Sequence, residues 1–215
     1  GAAPESLLIG LADPTLNPTV VDALDHNNVP TYDPEGQPLH IGGVGRLAEL
    51  LCQLCDDRST TIIRTLLQHP DIQQWLGASQ NSNELLRKLD RLYEDHLAPD
   101  LSTLLQFAPS STPLHGALTR LNQLATDLTR PTNFSAALAH ALQLIYADKQ
   151  LDATGSTHTQ WKERADAIRK LLANTDDTEA LFPKLPKAYS HAAFQQNLQR
   201  SRVYPDRPRD AHDLL

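Results

Sequence analysis

Leucine returning every three or four residues over most of the chain is the pattern that limits its fold most. Leu85, Leu86, Leu89, Leu92 and Tyr93 form one stripe, and Leu114, Leu118, Leu121, Leu124, Ala125 and Leu128 form another. Leu47, Leu50, Leu51 and Leu54 repeat the spacing earlier in the chain. That period belongs to an amphipathic helix burying one face. Aromatic residues make up only 5% of the 215 residues, so the core must be built mainly of Leu and Ala, which again favours helices.

Helix-start chemistry stands between the stripes: Ser59 or Thr60, Asn81 with Glu84, Pro99 before Asp100, Thr112 before Pro113, and Asn133 or Ser135. A short polar side chain there accepts a backbone N–H of the first turn, and proline at the first helical position gives up a donor that has no partner anyway. The predicted helices run over 46–55, 60–67, a short piece at 71–76, from Asn81 to about Leu97, 100–107, 113–128, from Asn133 or Ser135 to Tyr146, 157–173 and 190–200.

The first forty residues read differently. Leu7, Leu8 and Ile9 form a short apolar run with Gly10 behind it, as in a strand buried on both faces. Asn17 and Pro18 open a helix carrying Val20, Val21 and Leu24, and Val29 to Tyr32 is a second candidate strand before the turn residues Asp33-Pro34-Glu35-Gly36. A helix between two strands makes a crossover, so the strands are expected to be parallel. The expected fold class is mostly α: a small strand-helix-strand α/β piece over 1–42, a multi-helix, bundle-like region over 43–203, and a linker or tail over 204–215.

Charge and composition exclude several classes. Net charge is −7, against the clustered cations that a dedicated nucleic-acid module needs. No apolar run approaches a membrane span and no secretory leader is visible, so no membrane partner is expected and a cytoplasmic location is. The chain has no methionine and opens Gly-Ala-Ala-Pro just ahead of a strand, which reads as a processed chain or a segment of a larger protein. The most basic window holds Arg200, Arg202, Arg207 and Arg209 around Tyr204. These four are the DNA-contact candidates, although a solvated helix end and polar linker is the simpler reading.

Other constellations point away from chemistry. Cys52 and Cys55 have C-x-x-C spacing but lie within a leucine-rich helix and have no second pair, so they read as packed thiols. His69 precedes Pro70 at a helix end and reads as a packed terminal residue. Gly42, Gly43 and Gly45 lack the lysine of a phosphate loop and read as a turn into the helix that begins near Arg46. No catalytic group and no metal set stands out.

The order strand, "VVDAL" helix and "NNVPTYDPEG" resembles motif IV of superfamily I DNA helicases of the UvrD/Rep type, with Ala23-Leu24 and Val29-Pro30 on matching positions. The continuation, GQPLHIGGVGRLAELL and then LLQHP, is closer to AddB-like proteins, helicase-derived partners in helicase–nuclease complexes that are often described as inactivated helicases. Gly36, Pro38, Leu39, Gly45, Arg46, Leu47, His69 and Pro70 carry that match, which covers about the first third of the chain.

The resemblance implies a segment running from motif IV of the second RecA-like domain into its helical insertion. Active members end the motif IV strand in an arginine that touches the γ-phosphate. Here the register puts Ala12 at that position, and a methyl cannot stabilise phosphoryl charge. The expectation is therefore a non-catalytic scaffold or DNA-facing element in recombination and repair. It needs no cofactor itself, since ATP and Mg would belong to an active parent helicase or exonuclease. Its expected partners are DNA, bound weakly and without specificity, the remaining domains of the parent, and a helicase–nuclease partner subunit. The competing expectation is a free-standing helical protein-interaction domain with no nucleic-acid role.

Overall fold

In the computed structural model the described residues are 36–41, 43–77, 82–130, 133–147, 156–182 and 186–203, with Leu16, Val20 and Ala23. The strands expected at Leu7 to Ile9 and Val29 to Tyr32, the helix start at Asn17-Pro18 and the cap at Asn81 lie outside them. The chain divides into two compact units, one formed by Pro38–Val203 and one by Gly1–Gln37 with Tyr204–Leu215.

The described structure is mostly α. Helix α1 (Gly43–Asp56) is followed by α2 (Thr60–Gln68), α3 (Pro70–Trp75), α4 (Ser82–His96) and α5 (Leu101–Phe107). Then come α6 (Pro113–Thr129), α7 (Phe134–Tyr146), α8 (Ser156–Leu181) and α9 (Lys187–Arg200). Two strands of two residues each, β1 (Gln37–Pro38) and β2 (Arg202–Val203), form a small sheet at the two ends of this helical series. Neither is predicted above, since a two-residue strand is too short to show an alternation.

Helix α1 is the hub. It packs against α2, α6, α7, α8 and α9, and Leu47, Ala48, Leu51, Cys52 and Leu54 along it are wholly buried. A helix surrounded in this way must be apolar on more than one face, and α1 is: Val44, Leu50 and even Glu49 are buried beside them. The core continues through Ile63 and Leu66 of α2, Leu118 and Leu121 of α6, Leu138 of α7 and Phe194 and Leu198 of α9.

The caps act as the sequence predicts. Ser59 accepts the Ile62 N–H, Thr112 accepts the His115 N–H ahead of Pro113, and Asn133 accepts the Ala136 N–H. Asp100 accepts the Thr103 N–H (2.9 Å) and the Ser102 hydroxyl (2.7 Å), bonds that hold its carboxyl below the usual carboxylate range. The starts of α2 and α5 are joined side by side, with Thr60 N–H on the Pro99 carbonyl and Leu101 N–H on that of Arg58, both 2.9 Å. Helix α4 stops at His96, and Leu97 takes a left-handed φ of +48°.

Helix α8 departs most from expectation, since it runs on to Leu181 instead of stopping near Ala173. Asn174 to Thr178 is a weak helix former by composition, yet its side chains have partners. The buried Thr175 hydroxyl donates to the Leu171 carbonyl (2.9 Å). Asp176 accepts from the Asn133 amide, and Glu179 accepts the backbone N–H groups of Phe134 (3.1 Å) and Ser135 (3.3 Å). The extra turns thus cap α7 with negative charge at its positive end.

Candidate functional site

Several of the residues that carry the resemblance, Leu39, Gly45, Arg46, Leu47 and His69, lie in or against the start of α1. Gly36 has a φ of +73° and is buried. Leu39, wholly buried, donates its N–H to the Ser201 carbonyl (2.9 Å). Helix α1 begins at Gly43, three residues earlier than predicted, and Gly43 has a φ of +48°. Gly45 is therefore in the first turn and not in a loop. A Cβ there would stand 1.6 Å from the Leu39 carbonyl oxygen, so the position takes glycine because the backbone before the helix passes directly over it.

His69 closes the site from the other side. It ends α2 and caps α3, with Pro70 at the first helical position. Its Nδ1 accepts the Asp71 N–H (3.2 Å), so the ring proton sits on Nε2, which donates to the Gly43 carbonyl (3.2 Å). Asp71, also buried, accepts from the Tyr146 hydroxyl at 2.6 Å. One buried polar chain thus connects α1, α3 and α7. The packed helix-end reading of His69 holds, with a double capping role that no spacing rule shows. Arg46 pairs with buried Glu49 one turn along, and Leu47 has no exposed surface.

Of the DNA-contact candidates, Arg200 is exposed in the last turn of α9 and Arg202 is exposed in β2. They flank Ser201, so the Leu39–Ser201 bond brings both beside the turn that leads into α1. Arg207, Arg209 and Ala12 lie outside the described residues.

Neither Cys52 nor Cys55 is in a disulfide. Cys52 is buried and donates to the His191 carbonyl (3.6 Å), while Cys55 donates to the Leu51 carbonyl (3.3 Å). Burial first, then the charges of Cys55, Asp56 and Glu49, push the Cys52 thiol far up, which favours its protonated form. The buried His191 ring meets the Asp56 carboxylate at 2.8 Å and the Phe134 ring at a centroid distance of 4.3 Å. Its neighbour at Cys52 is therefore its backbone, not its ring. Sequence reading missed His191 because nothing near it in the chain marks it. Its partners are 135 and 139 residues away.

Among the described residues no group of three or more His, Cys, Asp and Glu side chains is placed to hold a metal ion, and no helix is long and apolar enough to cross a membrane. What the arrangement can do is hold a turn, a helix start and two arginines in fixed relation. No family model, no curated protein and no solved structure matches the chain.

Proposed function

We propose that this chain is a non-catalytic segment of an AddB-like, superfamily I helicase-derived protein, acting as a cytoplasmic scaffold or DNA-facing element in recombination and repair. One observation carries the reading. Leu39 and Gly45 of the resemblance touch each other, and His69, from the second stretch, bonds the Gly43 carbonyl beside them. A motif of this kind is a packing rule: glycine where two backbones touch, histidine and proline where one helix ends and the next begins. Arg200 and Arg202 next to that junction supply the cations for backbone contact with DNA, while the net charge of −7 keeps such contact weak.

The test is a titration of the purified chain with fluorescent single- and double-stranded DNA at low and moderate salt, beside an assay of ATP turnover. The expected result is no turnover and non-specific binding in the ~10⁻⁴ to 10⁻⁶ M range that falls steeply with salt. Turnover above background, or tight binding that survives salt, overturns the scaffold reading. The helicase kinship is tested separately by the encoding reading frame. A nucleotide-binding loop upstream or a nuclease motif downstream supports it, and an initiating methionine just before Gly1 with a stop just after Leu215 removes it.

A further inference from the structure

Between α3, α4 and α6 lies a cleft of about 350 Å³, and none of the residues that line it belongs to the junction at the start of α1. Its floor is apolar: Leu76, Leu85, Pro113 and Ala117 line it, and Leu85 and Ala117 are each only 6% exposed. Gly116 faces it from the second turn of α6. A glycine inside a helix destabilises it relative to alanine, and here packing gives no reason for one, because an added Cβ would meet nothing within 4 Å. That is the opposite of Gly45. A helix that keeps its backbone bare beside an open apolar cleft leaves room for something else to approach it.

The charges around the cleft define what that is. Arg120, one helical turn after Gly116, donates from Nη1 to the Trp75 carbonyl at the end of α3 (3.2 Å). That bond fixes the guanidinium at the rim and uses one of its five N–H donors, and no carboxylate among the described residues pairs with it. On the opposite wall Lys88 is satisfied by Glu84 (2.7 Å), so that pair adds no net charge. The cleft therefore offers an apolar floor, a bare stretch of backbone and one positioned, uncompensated cation.

We infer that this cleft receives a segment of a partner protein that presents one apolar side chain next to a carboxylate. The apolar side chain covers Leu85 and Ala117, the backbone passes Gly116, and the carboxylate meets the Arg120 fork. A nucleic-acid strand fits less well, because binding it depends on neutralising several phosphates, and here a single cation stands across from a Lys88–Glu84 pair that adds no net charge. The inference rests on the cleft alone and stands apart from the helicase kinship.

The probes are blocked pentapeptides with Phe or Leu beside two acidic residues, the same peptides with the acids amidated, and a twenty-nucleotide oligothymidylate. Each is titrated into the ¹⁵N-labelled chain while the amide signals of Gly77 and Gly116 are followed. The acidic peptides are expected to shift both signals saturably, and the amidated ones to bind about fivefold or more weakly. Arg120→Gln should remove that preference. Gly116→Leu, which fills the cleft with a better helix former, should abolish binding while the helical circular dichroism is retained. No saturable shift at millimolar peptide overturns the inference, as does equal binding of acidic and amidated peptides or an unchanged preference in Arg120→Gln. Tighter binding of the oligonucleotide at the same signals also overturns it, in favour of a nucleic-acid occupant.

Discussion

Two glycines in helices show how one residue type answers to opposite causes. Gly45 is held against the Leu39 carbonyl oxygen with no space for a methyl, whereas a methyl added at Gly116 would meet nothing within 4 Å. Gly45→Ala is therefore expected to destabilise the fold by about 3 kcal/mol or more, since relief requires moving backbone and not a flexible side-chain end. Urea denaturation of the two proteins checks this, and a loss below 1 kcal/mol would mean that the chain before α1 can move aside. His69 acts on the same few atoms from the other direction. Its identity was legible as a helix-end residue from the proline that follows it. Its hold on Gly43 was not, because a contact between residues 26 positions apart depends on how α1 and α2 pack.

Among the elements, α7 and α8 depend on each other. The first four N–H groups of a helix have no partner within it, and in α7 three of them are met by side chains: Phe134 and Ser135 donate to Glu179, and Ala136 donates to the Asn133 side chain. Glu179→Ala removes the acceptor of two of these and a negative charge at the helix start. It should cost about 1–2 kcal/mol, read as a lowered urea midpoint with an unchanged slope. Glu179→Gln, which keeps an acceptor, should lose less, and an equal loss in both would assign the effect to charge alone. Helix starts were readable from the sequence at Ser59, Thr112 and Asn133 because a cap acts within three residues, whereas Asp100, read as the first helical residue, is the cap itself. The far end of α8 was not, because Asn174 to Thr178 is a poor helix former on its own account and is held by side chains of another helix. Periodicity sees a helix's face but not the neighbour that prolongs it.

For the molecule as a whole, leucine spacing and scarcity of aromatics were enough to predict a mostly helical protein. They did not predict that one helix, α1, would be surrounded by five others, since burial of a second face shows only as a few extra apolar residues. The two thiols report on that arrangement. With a thiol-specific chromogenic reagent, partly buried Cys55 is expected to react in the native protein, while Cys52, wholly buried in the hub, should react only as fast as the fold opens. Added denaturant should then accelerate the slow thiol in step with unfolding followed by circular dichroism. Two fast thiols would mean that the packing around α1 opens locally.

That hub also has a history during synthesis. Helix α1 is made early, but the α9 residues that cover it come late: Cys52 meets the carbonyl of His191, 139 residues further on. At about 5–20 residues per second, roughly 7–28 s separate the two on the ribosome. For that interval a leucine-rich helix with more than one apolar face waits for its last wall. Low contact order is what lets most helical proteins fold fast, and this chain gives it up at its most buried element. Its nascent form is thus a natural client for chaperones that shield exposed leucine. Removing α9, or pausing translation ahead of it, should send this protein towards aggregation instead of a smaller stable bundle.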